Sequence, residues 1–181
     1  ADVRRMLGEI NASGAAVPTE PSSGRLTIAA AGDTMMGSNI RKGEAGLPPD
    51  NGEILFADVA DIFAAADVAF LNLEGTLADG LPQTKCGPSS SSCYSFRTPT
   101  RYTAALTGAS IDVVSNANNH SMDLGEPGMD ATLAALDAAG IAHTSRYGDI
   151  GWLERGGLKI AVVGAHSGSC CLNVNRIEEV Q

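Results

Sequence analysis

"IDVVSNANNHSMDLG", residues 111–125, decides how the rest of the chain reads. Its first part is an apolar run suited to a buried strand. Its second part sets three asparagines within positions 116–119, followed by His120 and Asp123. Asparagine is at home in left-handed turns, but three in four positions beside a histidine and an aspartate exceed what a turn needs. In α/β sheets, ligands gather beyond the carboxyl ends of the strands. The stretch therefore predicts a parallel strand that runs into a functional loop.

Working outward, similar apolar runs occupy 25–31 (RLTIAAA), 67–73 (DVAFLNL), 110–115 (SIDVVS) and 158–165 (LKIAVVGA), with a shorter one at 141–145. They are nearly continuous rather than alternating, as in strands covered on both faces. Helical patterns lie between them at 54–66, 99–109 and 128–140. The first has Leu55, Val59 and Ile62 near one stripe, with Phe56 and Phe63 beside it. The second opens on Pro99 and closes on Gly108, and the third ends at Gly140. Alternating β and α segments predict an α/β fold, a mainly parallel sheet with helices on both faces.

The expected strand ends carry Asp33, Glu74 and the Asn118–Asn119–His120 run, with Asp123 just beyond. Asp33, Glu74 and Asn119 form an oxygen-rich set suited to a divalent ion, with Mn, Zn, Mg and Fe not distinguished. His120 is the natural proton donor, because imidazole titrates near neutral pH unaided. His166 and His143 read as packed or solvated residues.

Composition bounds the alternatives. Among 181 residues, 12 basic and 21 acidic side chains give a net charge of −9. A nucleic-acid binder needs a basic face to neutralise phosphates, so that class is not expected. Residues 1–25 end in a small, polar, Pro-containing tether, and a chain opening on Ala1 suits removal of a signal or membrane anchor. Cys86 and Cys93 flank a turn-rich loop and are expected to form a disulfide, which places the protein outside the cytoplasm. Cys170 and Cys171 are adjacent, a poor geometry for an ordinary bridge.

The segments AAAGDTMMGS, DVAFLNLEGTL, CYSFRTPTRYTAAL and IDVVSNANNHSMDLGEPGMDATLAALDAAGIAH, in this order, resemble the CapA/PgsA family. That family is associated with poly-γ-glutamate capsules and has the calcineurin-like metallophosphoesterase fold. The resemblance covers residues 25–165. It implies that Asp33 and Asn119 are metal ligands, Glu74 a bridging carboxylate and His120 an acid near the leaving group. Asp123 falls where it can orient His120. Phosphoesterases carry Asp-x-His after the first strand, whereas Asp33-Thr34-Met35 stands here, a departure the CapA-like branch shares. The later His-containing segments of the family are absent, so an incomplete domain, 26–181, is expected.

Lys85, Arg97 and Arg101 lie between the second and third strands and are expected to hold a polyanionic capsule polymer. Two functions compete: a metal-dependent hydrolase or transferase acting on the polymer at the cell envelope, and a non-catalytic accessory in its assembly or export.

Overall fold

The computed structural model describes residues 25–87 and 90–176. The expected tether over 1–25, except Arg25, and the last five residues lie outside that range. The elements in chain order are β1 Ile28–Thr34, α1 Asn39–Lys42, α2 Ala60–Ala64, β2 Val68–Leu73, β3 Thr76–Leu77, β4 Arg97–Thr98, α3 Thr103–Gly108, β5 Val113–Ser115, α4 Gly125–Ala138, β6 Ala142–Thr144, β7 Gly151–Arg155, β8 Leu158–Val162, β9 Ala165–His166 and β10 Leu172–Asn173. Short 3₁₀ turns at Gly43–Gly46, Asp50–Leu55 and Thr100–Tyr102 complete the described chain.

The central sheet has the order β1-β2-β5-β6, and all three pairings are parallel. Alternation along its strands divides the core in two. Ala69, Leu71 and Leu73 of β2 and Val114 of β5 face a cluster with Phe63 of α2, Ala105 and Leu106 of α3 and Leu136 of α4. Val68 and Val113 face the other way, onto Leu153, with Phe70, Ile160 and Val162 packed alongside. Helices thus pack on one side of the sheet and the β7–β8 hairpin on the other.

The segment 158–165 was expected to join the parallel sheet, and its β8 portion does not. β8 pairs antiparallel with β7 from Arg155↔Leu158 to Gly151↔Val162. Gly156 and Gly157, both at positive φ, make the two-residue turn that joins them. An ion pair pins the hairpin to the sheet: Arg155 donates to Asp112 Oδ1 at 2.6 Å, and Asp112 Oδ2 accepts from Ala69 N at 2.8 Å.

The helix expected over 54–66 is also different. Only Ala60–Ala64 is α-helical, preceded by a 3₁₀ turn in which Asn51 and Gly52 adopt left-handed dihedrals. Its inward side chains are Phe56 and Phe63, while Leu55, Val59 and Ile62, the expected stripe, are exposed. Asp58 and Asp61 mark the polar side of the segment, and Phe56 and Phe63 lie opposite them on a helical wheel, with the aliphatic stripe at the flank. Its outward face and β1 line a cavity of about 510 Å³ that reaches Asp33 and Met35. β1 itself is an edge strand, and Ile28 on it is 62% exposed.

Candidate functional site

Parallel register brings the strand ends together. Asp33 of β1 lies opposite Asn72 of β2, and Asn72 lies opposite Ser115 of β5. A bulge between Ala31 and Asp33 shifts the register just before the aspartate. Bulges commonly re-aim a side chain beside a functional site. Glu74 follows β2 directly, and its backbone N–H donates to Thr34 O at 3.0 Å.

A chain of side-chain amides crosses the three strands. Asn72 donates to Asp33 Oδ1 at 2.6 Å. Asn118 donates to Asn72 Oδ1 at 2.9 Å and to Leu73 O at 2.9 Å. Asn118 Oδ1 in turn accepts from His120 N at 2.9 Å. Asp33 is thereby linked to the His120 loop through two amides, of which Asn118 uses both N–H groups and its oxygen. Asn116, completely buried, donates to both Leu73 O and Gly75 O and ties the same loop to the segment after β2.

The two adjacent asparagines thus differ. Asn118 is built into the scaffold. Asn119 is exposed, and its side chain has no hydrogen-bond partner among the described residues. Its backbone oxygen accepts from Lys85 Nζ at 2.9 Å.

His120 is held closely. Its Nδ1 lies 2.7 Å from Asp123 Oδ2, and Asp123 is fully buried. Phe96 stacks on the imidazole at 4.2 Å between ring centres and 24° between planes. Phe96 N–H also donates to Asp123 Oδ2 at 2.6 Å. Lys85 Nζ sits 2.8 Å from Asp123 Oδ1 and 3.2 Å from His120 Nδ1. The other ring nitrogen, Nε2, points to Glu74 Oε1 at 3.7 Å. That gap is too long for a hydrogen bond.

The segment after Glu74 supports this packing. Gly75 has φ +135°, and a Cβ there would stand 3.0 Å from Phe96 Cβ. Any other residue would be strained and would press on the ring that covers His120. Thr76 Oγ1 donates to Phe96 O at 2.7 Å, beside the short β3–β4 pairing.

The expected metal ligands suit a hard divalent ion in kind, since carboxylate and amide oxygens are what such ions take. Asp33 and Asn119 are exposed, and the Glu74 carboxylate faces His120 across the 3.7 Å gap. Yet no group of three His, Cys, Asp or Glu side chains gathers at metal-binding distance among the described residues. The donors of these residues would leave a coordination shell open. Met35, at the place of the usual histidine, accepts from Gly37 N with its sulfur at 3.0 Å and lines the cavity beside Asp33.

The three basic residues do not form a common patch. Lys85 is drawn into the His120–Asp123 pair. Arg97 donates to Asn39 Oδ1 at 2.6 Å and to Leu81 O. Arg101 pairs with Glu44 at 2.7 Å and Asn51 at 2.9 Å, stays 47% exposed, and lines a groove of about 690 Å³ with Asp79 and α4.

Cys86 and Cys93 are joined by a disulfide. So are Cys170 and Cys171, contrary to the expectation drawn from their adjacency, and Cys170 Sγ lies 3.4 Å from Ser121 Oγ. Nothing in the sequence pattern singled out Asn72 or Phe96. A polar residue inside the apolar run AFLNL was the available signal for Asn72. Phe96 has none, since its partners are distant in the chain.

Similarity to known proteins agrees with this architecture. Over 123 residues, 65% of the chain, it is 30% identical to "Uncharacterized protein y4sH" of Sinorhizobium fredii (strain NBRC 101917 / NGR234). Over 93 residues, 49% of the chain, it is 33% identical to "Uncharacterized protein y4uA" of the same strain. The matched stretches span 24% and 19% of those relatives' own lengths. A family model described as "Bacterial capsule synthesis protein PGA_cap" matches residues 27–178, and the chain belongs to that family, with its metallophosphoesterase-like α/β fold.

Proposed function

We propose that this chain is the ion-holding and proton-transferring part of a metal-dependent hydrolase or transferase that acts on a poly-γ-glutamate capsule polymer at the cell envelope. One observation carries the reading. Asp33, Asn72, Asn118 and His120 form a continuous hydrogen-bonded chain across three strand ends, with Glu74 facing the free nitrogen of His120. A structural turn has no use for that many committed amides around an exposed carboxylate.

Asp33, Glu74 and Asn119 would hold the divalent ion, which when bound supplies Lewis-acid polarisation of the scissile group. In its doubly protonated form His120 passes the Nε2 proton to the leaving group and is left as the neutral Nδ1–H tautomer. Asp123 accepts from Nδ1 and so keeps the exchangeable proton on the side facing Glu74. Phe96 covers one face of the ring and keeps water off it. Arg101 is the expected cation with exposure to meet a polyanion, although Glu44 already competes for it. The disulfides support a site of action outside the cytoplasm. Among the described residues no helix is long and apolar enough to cross a membrane.

The test combines Mn²⁺ binding by calorimetry with hydrolysis of γ-glutamyl oligomers. Stoichiometric binding that is lost in Asp33→Asn and Glu74→Gln, with turnover lost in His120→Gln, supports the reading. Full binding in both carboxylate variants, or unchanged turnover in His120→Gln, refutes it. The second reading, a non-catalytic accessory in polymer assembly or export, is favoured by the open ligand set and by Met35 in place of histidine. It predicts polymer binding without turnover, weakened by Arg101→Ala.

A further inference from the structure

His120 is gripped by two residues that enter from the same loop. Lys85 immediately precedes Cys86, Phe96 follows Cys93 by three positions, and the Cys86–Cys93 disulfide ties the two arms together. The base of the loop is further stapled by Gln83. Its Oε1 accepts from Cys86 N at 2.7 Å and from Ser95 Oγ at 3.3 Å, and its Nε2 donates to Cys86 O at 2.8 Å. Thr84 N–H donates to Asp123 O at 2.9 Å, so the loop is also fastened to the segment it grips.

The two arms divide the work. Phe96 contacts His120 with its ring and Asp123 Oδ2 with its backbone N–H. Lys85 takes the second carboxylate oxygen. Asp123 is therefore fixed through both oxygens, and only Oδ2 is turned to the imidazole. The Nδ1 contact with a carboxylate oxygen, 2.7 Å, is shorter than that with the Lys85 ammonium, 3.2 Å. A carboxylate only accepts and an ammonium only donates. The short contact is therefore Nδ1–H donating to Asp123, while Lys85 donates to Asn119 O and meets Asp123 Oδ1 as an ion pair without hydrogen-bond geometry.

We propose that Lys85 and Phe96, tied together by the Cys86–Cys93 disulfide, are positioning residues that lock His120 in its Nδ1–H tautomer with Nε2 aimed at Glu74. This role rests on the proposed proton transfer by His120 for its purpose, but not for its detection. It also gives Lys85 a place other than polymer binding.

The experiment reads the tautomer by ¹⁵N NMR of the imidazoles in the apo protein, without substrate or metal. The chain has 3 histidines, so His143→Gln and His166→Gln isolate the His120 signals. A charged hydrogen bond of this kind favours its tautomer by about tenfold or more. Wild type is expected to show essentially one tautomer. Phe96→Ala, which removes the ring stacked on His120 and keeps the backbone donor, and Lys85→Met, which removes the ion pair with Asp123, are each expected to bring the two forms to within about threefold. Phe96→Tyr and Lys85→Arg are expected to restore the preference. If both Phe96→Ala and Lys85→Met keep the wild-type tautomer while their far-UV circular dichroism is unchanged, the clip is overturned. If either variant fails to fold, Phe96→Leu or Lys85→Gln takes its place with the same two outcomes, and a tautomer mixture in wild type overturns the clip. Loss of turnover or ion binding in other tests leaves this readout untouched, so the two proposals fail separately.

Discussion

Asp123→Ala is the most informative single substitution. The carboxylate is fully buried and serves three partners: His120 Nδ1, Phe96 N–H and the Lys85 ammonium. Truncation orphans the Phe96 N–H, which costs about 1–3 kcal/mol when a buried donor loses its partner. The imidazole loses a charge-assisted bond as well. Breaking a buried ion pair by removing one partner costs about 3–5 kcal/mol. Here the Lys85 side chain is 31% exposed and can turn to water, so its share is discounted. The expected total is about 3 kcal/mol, a large part of the roughly 5–15 kcal/mol that holds a domain together. Urea unfolding followed by circular dichroism measures it, with m unchanged. Removing the orphaned cation as well should recover part of the loss, so the Asp123→Ala/Lys85→Met pair should fall short of additivity by about 1 kcal/mol. A loss under about 1 kcal/mol for Asp123→Ala, or strict additivity of the pair, would refute this account of the cluster.

Four other outcomes are expected. Asn118→Ala, which frees Asn72 Oδ1 and the His120 N–H and takes one of two amide donors from Leu73 O, should cost about 1–3 kcal/mol by the same unfolding measurement. Asp112→Ala leaves Arg155 buried without its partner and the Ala69 N–H without its acceptor, and should cost about 3–5 kcal/mol, detected as a lowered urea midpoint. Cys86→Ser/Cys93→Ser opens a loop with a sequence separation of 7 and should cost about 2.5 kcal/mol on the chain-entropy relation. Hydrogen bonds from the backbone N–H and hydroxyl of Thr27 hold the Asp67 carboxyl below its usual range. A depressed folded-state value contributes stability above the unfolded value, and this is lost as pH falls through the folded one. Asp67→Asn should therefore lose stability at neutral pH and converge with wild type in acid, in unfolding curves taken across pH.

The central sheet was legible because β2, β5 and β6 are apolar runs separated by helical or turn segments, a pattern with few alternatives. The hairpin was not, since an apolar run states that a strand is buried but not which strand it pairs with. The Gly156–Gly157 pair was the local signal that 151–162 folds back on itself. In the segment 54–66 the signal for the inward face was the Asp58–Asp61 pair rather than the aliphatic stripe, since Phe56 and Phe63 lie opposite those two acids. At the site, Asp33, Glu74 and His120 were legible because each stands where a strand stops. Asn72 hides within its strand. Phe96 and the grip of Lys85 on Asp123 depend on contacts between segments 27 to 38 positions apart, which no local pattern encodes.

The open flank of β1 sets a condition on any measurement. Among the described residues, Ile28 to Thr34 leaves a row of backbone donors and acceptors unpaired on one side, with neither lysine nor proline in the strand and only the bulge before Asp33 to interrupt it. At high concentration, copies of this chain are expected to adhere there by strand addition, which sets a foreign backbone alongside Asp33. Ion affinity would then vary with dilution, and a single titration at one protein concentration would report on crowding at that flank as much as on chemistry.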